Sequence, residues 1–350
     1  MRIVWFVVLL AAASAIGMMG MMRKPSGQTM EHEVVASYRR WKLKYGRLAS
    51  TPAEADYRLK VFRNSYFDVK SGNEVYNEYL KSEGKPLLAS PMFSLNQDAD
   101  LSQEEYTAHI TGLQLQEEAQ ELVSENSILG SNPAPKKLAA DDFEIRVRDQ
   151  GACHSCWAFS AISVAERVYH SLKRVQIDLS QQELVDCDQK SNGCMGGWPD
   201  WAFDYIGKSD VSPASAYPYQ GDEEPCKNNS TPRVGLKGKM SGGRMAFSKE
   251  SGKAIAAQGV WYSTGVNGSG RFRFLSATDD VYEIRGGGPT ECSSSINHAV
   301  TVVEHTDEYV KILSSGGKGW ANKGMKKVKP CSETAFWGVP NVIMFVKPNL

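Results

Sequence analysis

All seven cysteines of this 350-residue chain fall between Cys153 and Cys331, and none precedes them. Cysteine placement divides the chain into a front region that cannot be cross-linked and a back region that can. The odd total leaves one thiol over if the rest form bridges. Seven are too few for a miniprotein built on disulfides. With 41% hydrophobic and 23% charged residues, the chain has apolar material for a real core, which excludes a disordered chain and a collagen-like or mucin-like fibre. Forty basic residues balance forty acidic ones, so overall charge gives no reason to expect nucleic acid or an anionic membrane as partner.

The N-terminus bears on where those cysteines reside. Met1-Arg2 precedes the apolar octet Ile3 to Leu10, and small residues surround Ala13 and Ala15. This reads as a secretory signal peptide over residues 1–17. The alternative is a signal anchor reaching about Met22, since Ile3 to Met22 carries no charge and Arg23-Lys24 follows. Both readings send the body into the secretory pathway, where disulfides persist. Asn228, Asn229 and Asn267 each begin an Asn-x-Ser/Thr sequon, in keeping with that route.

From Glu31 to about Leu80 the pattern is helical. Val34, Val35, Tyr38, Trp41 and Tyr45 recur at three- and four-residue steps between basic residues. Thr51-Pro52-Ala53-Glu54 opens a second helix, whose repeat through Arg58, Phe62 and Val69 is expected to end near Asn73. Gln114 to Ile128 is polar and acidic, and Gly130-Ser131-Asn132-Pro133-Ala134-Pro135 is a breaker-rich linker. A boundary is therefore expected near residues 130–137. Beyond it, Ser155 to Lys173 reads as a buried helix, and Ser180 with Glu183 has capping-box spacing. Strand-like runs follow at Ala299 to Val303 and Val342 to Val346. Helices first and strands later imply an α+β fold, with two lobes and a cleft between them.

Chemistry concentrates in Gln150-Gly151-Ala152-Cys153-His154-Ser155-Cys156-Trp157-Ala158-Phe159-Ser160. Three readings compete for its Cys-x-x-Cys. A zinc site needs a second pair, which is absent. A thioredoxin-like redox pair lacks its strand–helix context. The third is a thiol nucleophile at a helix N-terminus, where exposed N–H groups favour thiolate.

This stretch resembles the papain-like cysteine proteases, in which the second cysteine is the nucleophile. The resemblance runs over roughly Asp142 to Leu350. It implies a two-lobed peptidase domain over residues 137–350, with a helical lobe and an antiparallel β-barrel-like lobe. The segment Ile296-Asn297-His298-Ala299-Val300 is similar to the one bearing the family's catalytic histidine. His305 and His154 are rival bases, but neither lies in a matching segment. The implied mechanism is thiolate attack by Cys156 on a peptide carbonyl, with His298 protonating the leaving amine. Gln150 and the Cys156 N–H would meet the oxyanion. Gly196 and Gly197 would bind an extended substrate through the backbone. Trp198, Pro199 and Ala299 resemble the wall of the main specificity pocket, so an apolar side chain is expected two residues before the scissile bond. The implied disulfides are Cys153–Cys194, Cys187–Cys226 and Cys292–Cys331, leaving Cys156 free. No metal or cofactor is called for.

The front region resembles a cathepsin L-like propeptide. Glu54, Arg58, Phe62 and Asn73 match its spaced helical signature, while Ser65 and Val69 depart from it. Asn96, Ala99 and Asp100 resemble a second motif, with Asp98 in an aromatic's place. A helical inhibitory propeptide is thus expected over residues 30–110, with a linker and processing region over 111–136. The implied partners are polypeptide substrates, the chain's own propeptide and cystatin-type inhibitors, with no nucleic acid. The implied state is a monomer, and the implied location is a lysosome, a vacuole or the extracellular space.

Three departures touch the site itself. Ser314 stands where the family has the asparagine that orients the histidine, and Gly316 stands where it has a shielding tryptophan. His154 replaces a glycine beside the cleft. The shorter Ser314 is expected to reach His298 only through a water or a small loop shift. Two functions follow: a cysteine endopeptidase made as a zymogen, or a protease-like binding or regulatory protein with little turnover.

Overall fold

The computed structural model describes residues 27–113, 142–227, 230–287, 291–292, 295–338 and 342–348. The leader segment, the sequons at Asn228 and Asn229, and the linker from Gln114 to residue 141 lie outside the described residues. No helix among the described residues is long and apolar enough to cross a membrane. The chain forms two compact units, one ending at Arg47 and one starting at Leu48. The described part of the first is helix α1 (Gly27–Tyr45), with Lys42 and Lys44 in its last turn, where cations complement the helix dipole.

The second unit opens with α2 (Pro52–Ser82). The Thr51 side chain accepts from the Glu54 N–H at 3.1 Å, and Pro52 takes a first-turn position where no N–H is needed. The helix overruns the expected stop near Asn73, because Tyr76 and Leu80 continue its buried stripe. The Asn73 amide turns outward, donating to the Phe93 carbonyl at 2.9 Å and accepting from its N–H at 3.0 Å. Helix α3 (Gln103–Ile110) begins with a full capping box between Ser102 and Glu105, a signal the sequence reading passed over.

The helical half of the cysteine-bearing region holds α4 (Cys156–Lys173), α5 (Gln181–Cys187) and α6 (Pro199–Ser209). Helix α4 is apolar on most faces and buries nearly its whole length. At α5 the capping box is half made. Ser180 accepts from the Glu183 N–H at 3.0 Å, but the Glu183 carboxylate goes to the Ser212 N–H, the Tyr205 hydroxyl and Arg233.

The strand-rich half contains β1 (Met240–Ala246), α7 (Lys249–Ala257), β2 (Tyr262–Val266), β3 (Tyr282–Glu283), β4 (His298–His305), β5 (Val310–Leu313), β6 (Met325–Lys329) and β7 (Val342–Pro348). They form one seven-stranded sheet in the order β1-β7-β2-β4-β5-β6-β3. It is open, so the expected barrel-like lobe is corrected to a sheet with two edges. All pairings are antiparallel except β3 with β6, which is parallel. Closure is not needed to protect either edge. The Gly242 N–H on β1 bonds Asp204 of α6, and the Glu283 N–H on β3 bonds the Tyr76 hydroxyl of α2.

One buried apolar cluster joins α4, α6 and β7, including Trp157, Phe203 and Met344. Inside the contact between α4 and the sheet, Ser160 Oγ lies 2.7 Å from Ser263 Oγ and 2.9 Å from Thr301 Oγ1. These hydroxyls satisfy one another in a dry place. They tie the helix that starts at Cys156 to the strand that starts at His298.

Candidate active site

Cys156 is the first residue of α4, fully buried, and the free cysteine of the chain. The other six are bridged as Cys153–Cys194, Cys187–Cys226 and Cys292–Cys331. The Cys153–Cys194 bridge and the hydrogen bond from the His154 N–H to the Cys194 carbonyl, 3.2 Å, fix the loop before Cys156 against the loop holding Gly196 and Gly197. The Ala299 N–H donates to Cys156 Sγ at 3.3 Å. Burial nevertheless pushes the thiol up to about 12, outweighing the N–H groups of Ala299, Trp157 and Cys156.

His298 starts β4 and is fully buried. Its Nε2 is 3.0 Å from Ser314 Oγ, which lies just past β5. This direct contact needs no bridging water, one of the two routes expected. The Ser314 N–H bonds the Gly324 carbonyl at 3.0 Å, holding the hydroxyl in reach. The other ring nitrogen, Nδ1, is directed not at Cys156 but at the Ile110 carbonyl, 2.6 Å away. Burial lowers the imidazole to about 4, the Ile110 carbonyl opposing it.

Gln150 is buried beside them. Its Nε2 donates to the carbonyls of Cys153 and His109, each at 2.9 Å. Its Oε1 accepts from the Ser315 hydroxyl, and its N–H bonds the Ser315 carbonyl at 2.9 Å. Ser315 therefore orients the amide.

Residues 109–113 lie across this constellation. The Gly112 and Leu113 N–H groups donate to the Asn297 carbonyl at 3.0 and 3.1 Å, and the Gly197 N–H donates to the Gly112 carbonyl at 2.8 Å. Leu113 pairs with Gly197 in parallel and joins the buried cluster of Trp198, Ile296 and Ala299. Two glycines permit the close approach. A Cβ on Gly112 would stand 2.1 Å from the His154 carbonyl oxygen and 3.1 Å from Cys156 Sγ. One on Gly197 would stand 2.8 Å from the Trp157 ring. Gly196 has φ +113°, a region that favours glycine.

Trp198 is buried under the Arg244 guanidinium, 3.8 Å from its ring centre. Pro199 is buried at the start of α6. Of the rival bases, His305 sits at the far end of β4, where Nδ1 meets the Tyr262 hydroxyl at 2.8 Å. His154 is half-buried and meets the cleft through its carbonyl.

Four contributors escaped the sequence reading: His109, Ile110, Ser315 and Phe272. The Phe272 ring meets that of His298 edge-on, 5.6 Å between centres, and stacks on Trp320 at 4.7 Å. Its one trace in the sequence is the alternation Arg271-Phe272-Arg273-Phe274.

The site has the parts for covalent catalysis by a thiol: a cysteine at a helix start, an imidazole on the facing strand with an oriented second nitrogen, and an amide donor. Comparison with known proteins agrees. Residues 139–335 match the pattern described as papain family cysteine protease, and residues 38–106 that of the cathepsin propeptide inhibitor domain (I29). Caricain of Carica papaya is 30% identical over 307 residues, covering 83% of this chain and 80% of caricain. Cathepsin L 2 of Paramecium tetraurelia is 28% identical over 294 residues, covering 82% and 85%. In fold, the chain resembles a recombinant stem bromelain precursor, with TM-score 0.68, 23% identity and coverage of 90% and 99%. It also resembles digestive procathepsin L2 from the Tenebrio molitor larval midgut, with TM-score 0.69, 21% identity and the same coverage. A match over more than half the chain leads to one conclusion: this chain belongs to the papain family of cysteine proteases and carries that family's propeptide inhibitor domain.

Proposed function

We propose that the chain is a cysteine endopeptidase of the secretory pathway, lysosomal, vacuolar or extracellular, made as a zymogen and acting through a Cys156–His298 dyad with Ser314 as the orienting group. Once the propeptide leaves, water and the freed imidazole allow the thiol proton to pass to the ring, giving thiolate and imidazolium. The sulfur attacks the substrate carbonyl carbon, and charge moves to its oxygen, facing the Gln150 amide and the Cys156 N–H. His298 gives a proton to the leaving nitrogen as the C–N bond breaks. A water, deprotonated by His298, then cleaves the thioester and returns the thiol.

The observation carrying this reading is the way residues 109–113 are held. Gln150 and His298 already grip two successive backbone carbonyls, those of His109 and Ile110 at the end of α3, at 2.9 and 2.6 Å. A site that grips backbone carbonyls suits polypeptide substrates generally. The seat of Leu113 among Trp198, Ile296 and Ala299 supports a preference for an apolar side chain two residues before the scissile bond. Pro199 and Gly196 border that seat in sequence.

Ser314, Gly316 and His154 support the second reading, a binding or regulatory protein with little turnover. A thiol-reactive peptide warhead separates the two. After removal of the propeptide, stoichiometric labelling of Cys156 and cleavage of a mixed peptide library are expected, and Cys156→Ala should abolish both. Retained peptide binding without labelling or cleavage would favour the binding protein.

A further inference from the structure

Hydrogen-bond chemistry fixes the protonation of His298 in the latent cleft. Nδ1 faces the Ile110 carbonyl oxygen at 2.6 Å, and a carbonyl only accepts, so Nδ1 carries a proton. The ring is fully buried, its two nitrogens facing the Ile110 carbonyl and the Ser314 hydroxyl, with no ion pair to a carboxylate among the described residues, and is therefore neutral. Nε2 then holds a lone pair, and the Ser314 hydroxyl at 3.0 Å donates to it. In the proposed catalytic state both directions change. Nδ1 must face the Cys156 sulfur, and Nε2–H must donate to Ser314. A hydroxyl serves both states by rotating, since it is donor and acceptor. The carbonyl oxygen of an asparagine only accepts.

The Ile110 carbonyl is available because of where it stands. Ile110 is the last residue of the eight-residue helix α3, and the last four carbonyls of a helix have no partner within it. His109 and Ile110 both lie in that last turn, and their carbonyls meet Gln150 and His298. The negative end of the helix thus faces the donors proposed to serve oxyanion and thiolate. The Ile110 side chain is also seated. Its Cδ1 lies 3.6 Å from the place a Cβ on Gly316 would take, and the residue is 5% exposed. A large side chain at 316 would compete for that space.

Resting on the dyad proposed above, we infer that the carboxyl end of α3 is a tautomer lock: the Ile110 carbonyl accepts the Nδ1–H hydrogen bond of His298 in place of the Cys156 sulfur, Ser314 reverses its hydrogen bond to follow, and the Ile110 side chain anchors the lock in the space beside Gly316. Opening the lock transfers no net proton to or from the pair. One leaves sulfur and one arrives on Nε2, exchanged through the water that enters as α3 withdraws.

The test uses the full chain. In a Cys156→Ala chain with ¹⁵N-labelled histidine at neutral pH, His298 should show a pyrrole-type Nδ1 and a pyridine-type Nε2, the signal being assigned by its loss in His298→Gln. A proton on Nε2 would overturn the lock. In the otherwise unaltered full chain, the alkylation rate of Cys156 should rise about thirtyfold or more in Ile110→Gly, the scale of losing a buried isoleucine. Gly316→Trp should raise it similarly, and the double variant should add little to either. Unchanged rates in both single variants would sink the lock, and an unchanged rate in Gly316→Trp alone would sink the seat. The dyad fails separately. If the processed chain neither labels nor cleaves while the full chain shows the Nδ1–H tautomer, the lock stands and the protease reading falls.

Discussion

The side-chain amide of Gln150 donates to the carbonyl oxygen of His109 at 2.9 Å. The group proposed to stabilise a substrate oxyanion is therefore occupied by a propeptide carbonyl, and Ser315 holds it in that orientation. Preorganised donors of this kind act where water is excluded, and removing one costs about 10²–10³ in kcat. Gln150→Ala in the processed chain should lower kcat by that order with a smaller change in KM. Steady-state kinetics check this. Equal losses in substrate binding and turnover would mark Gln150 as a structural residue of the Cys153 loop.

Release of the propeptide should follow Glu283. Its carboxylate accepts from Lys85 Nζ at 2.6 Å and the Tyr79 hydroxyl at 3.0 Å, and Lys329 Nζ is 3.7 Å away. Burial pushes this carboxyl upward, but the bonds from Lys85 and Tyr79 and the charges of Lys329 and Lys85 outweigh it and hold it below the usual range. A carboxylate depressed on docking stabilises the docked state above its free pKa, about 4.3. That contribution disappears as pH falls through the lowered value. Glu283→Gln should therefore loosen the propeptide at neutral pH and flatten its acid-triggered release, measured as Cys156 labelling of the full chain against pH. An unchanged profile would assign the trigger elsewhere.

Much of this molecule was legible because its chemistry is local in sequence. Cys156 opens a helix whose apolar residues lie on most of its faces, and Thr51, Pro52 and Glu54 mark a helix start through bonds within four residues. What escaped depends on distant pairings. The link from Ile110 to His298 spans 188 positions and that from Ser315 to Gln150 spans 165, and neither residue type announces its partner. The end expected near Asn73 falls short of the end of α2, and the use of the Asn73 amide by Phe93, twenty positions on, leaves no sign in the local pattern. The open sheet was unreadable for a related reason. Its edges are guarded by α2 and α6, elements far from β3 and β1 in the chain.

Phe272 covers His298 edge-on while its other contacts are the stacked Trp320 and the ring of Trp337. Truncating a buried phenylalanine costs about 3–5 kcal/mol. It would also admit water to the imidazole, whose pKa is lowered to about 4 by burial. Phe272→Ala should thus lower the stability of the full chain in denaturant by that order. It should also raise the His298 pKa toward its ordinary value, read by NMR titration of the Cys156→Ala chain. Phe272→Leu, which keeps the site dry, should move the pKa far less.

The odd orienting pair can be tested by restoring what the family carries. In the processed chain the Ile110 side chain no longer fills the space beside Gly316, so the Ser314–His298 bond faces water there. A hydrogen bond to a charged group is worth about 1.5–3 kcal/mol, and exposure to water weakens it. Ser314→Ala should therefore slow turnover about ten- to a hundredfold. Ser314→Asn together with Gly316→Trp should raise turnover above the parent, because an asparagine carbonyl accepts from Nε2–H and the indole screens that bond. Gly316→Trp should help less beside the native Ser314 than in combination with Ser314→Asn, since a screen acts through the bond it covers. The four kcat values of a double-mutant cycle measure that coupling. If the double variant folds, binds peptide normally and turns over no faster than the parent, Ser314 already orients His298 as well as an asparagine could, and the departure from the family costs this site nothing.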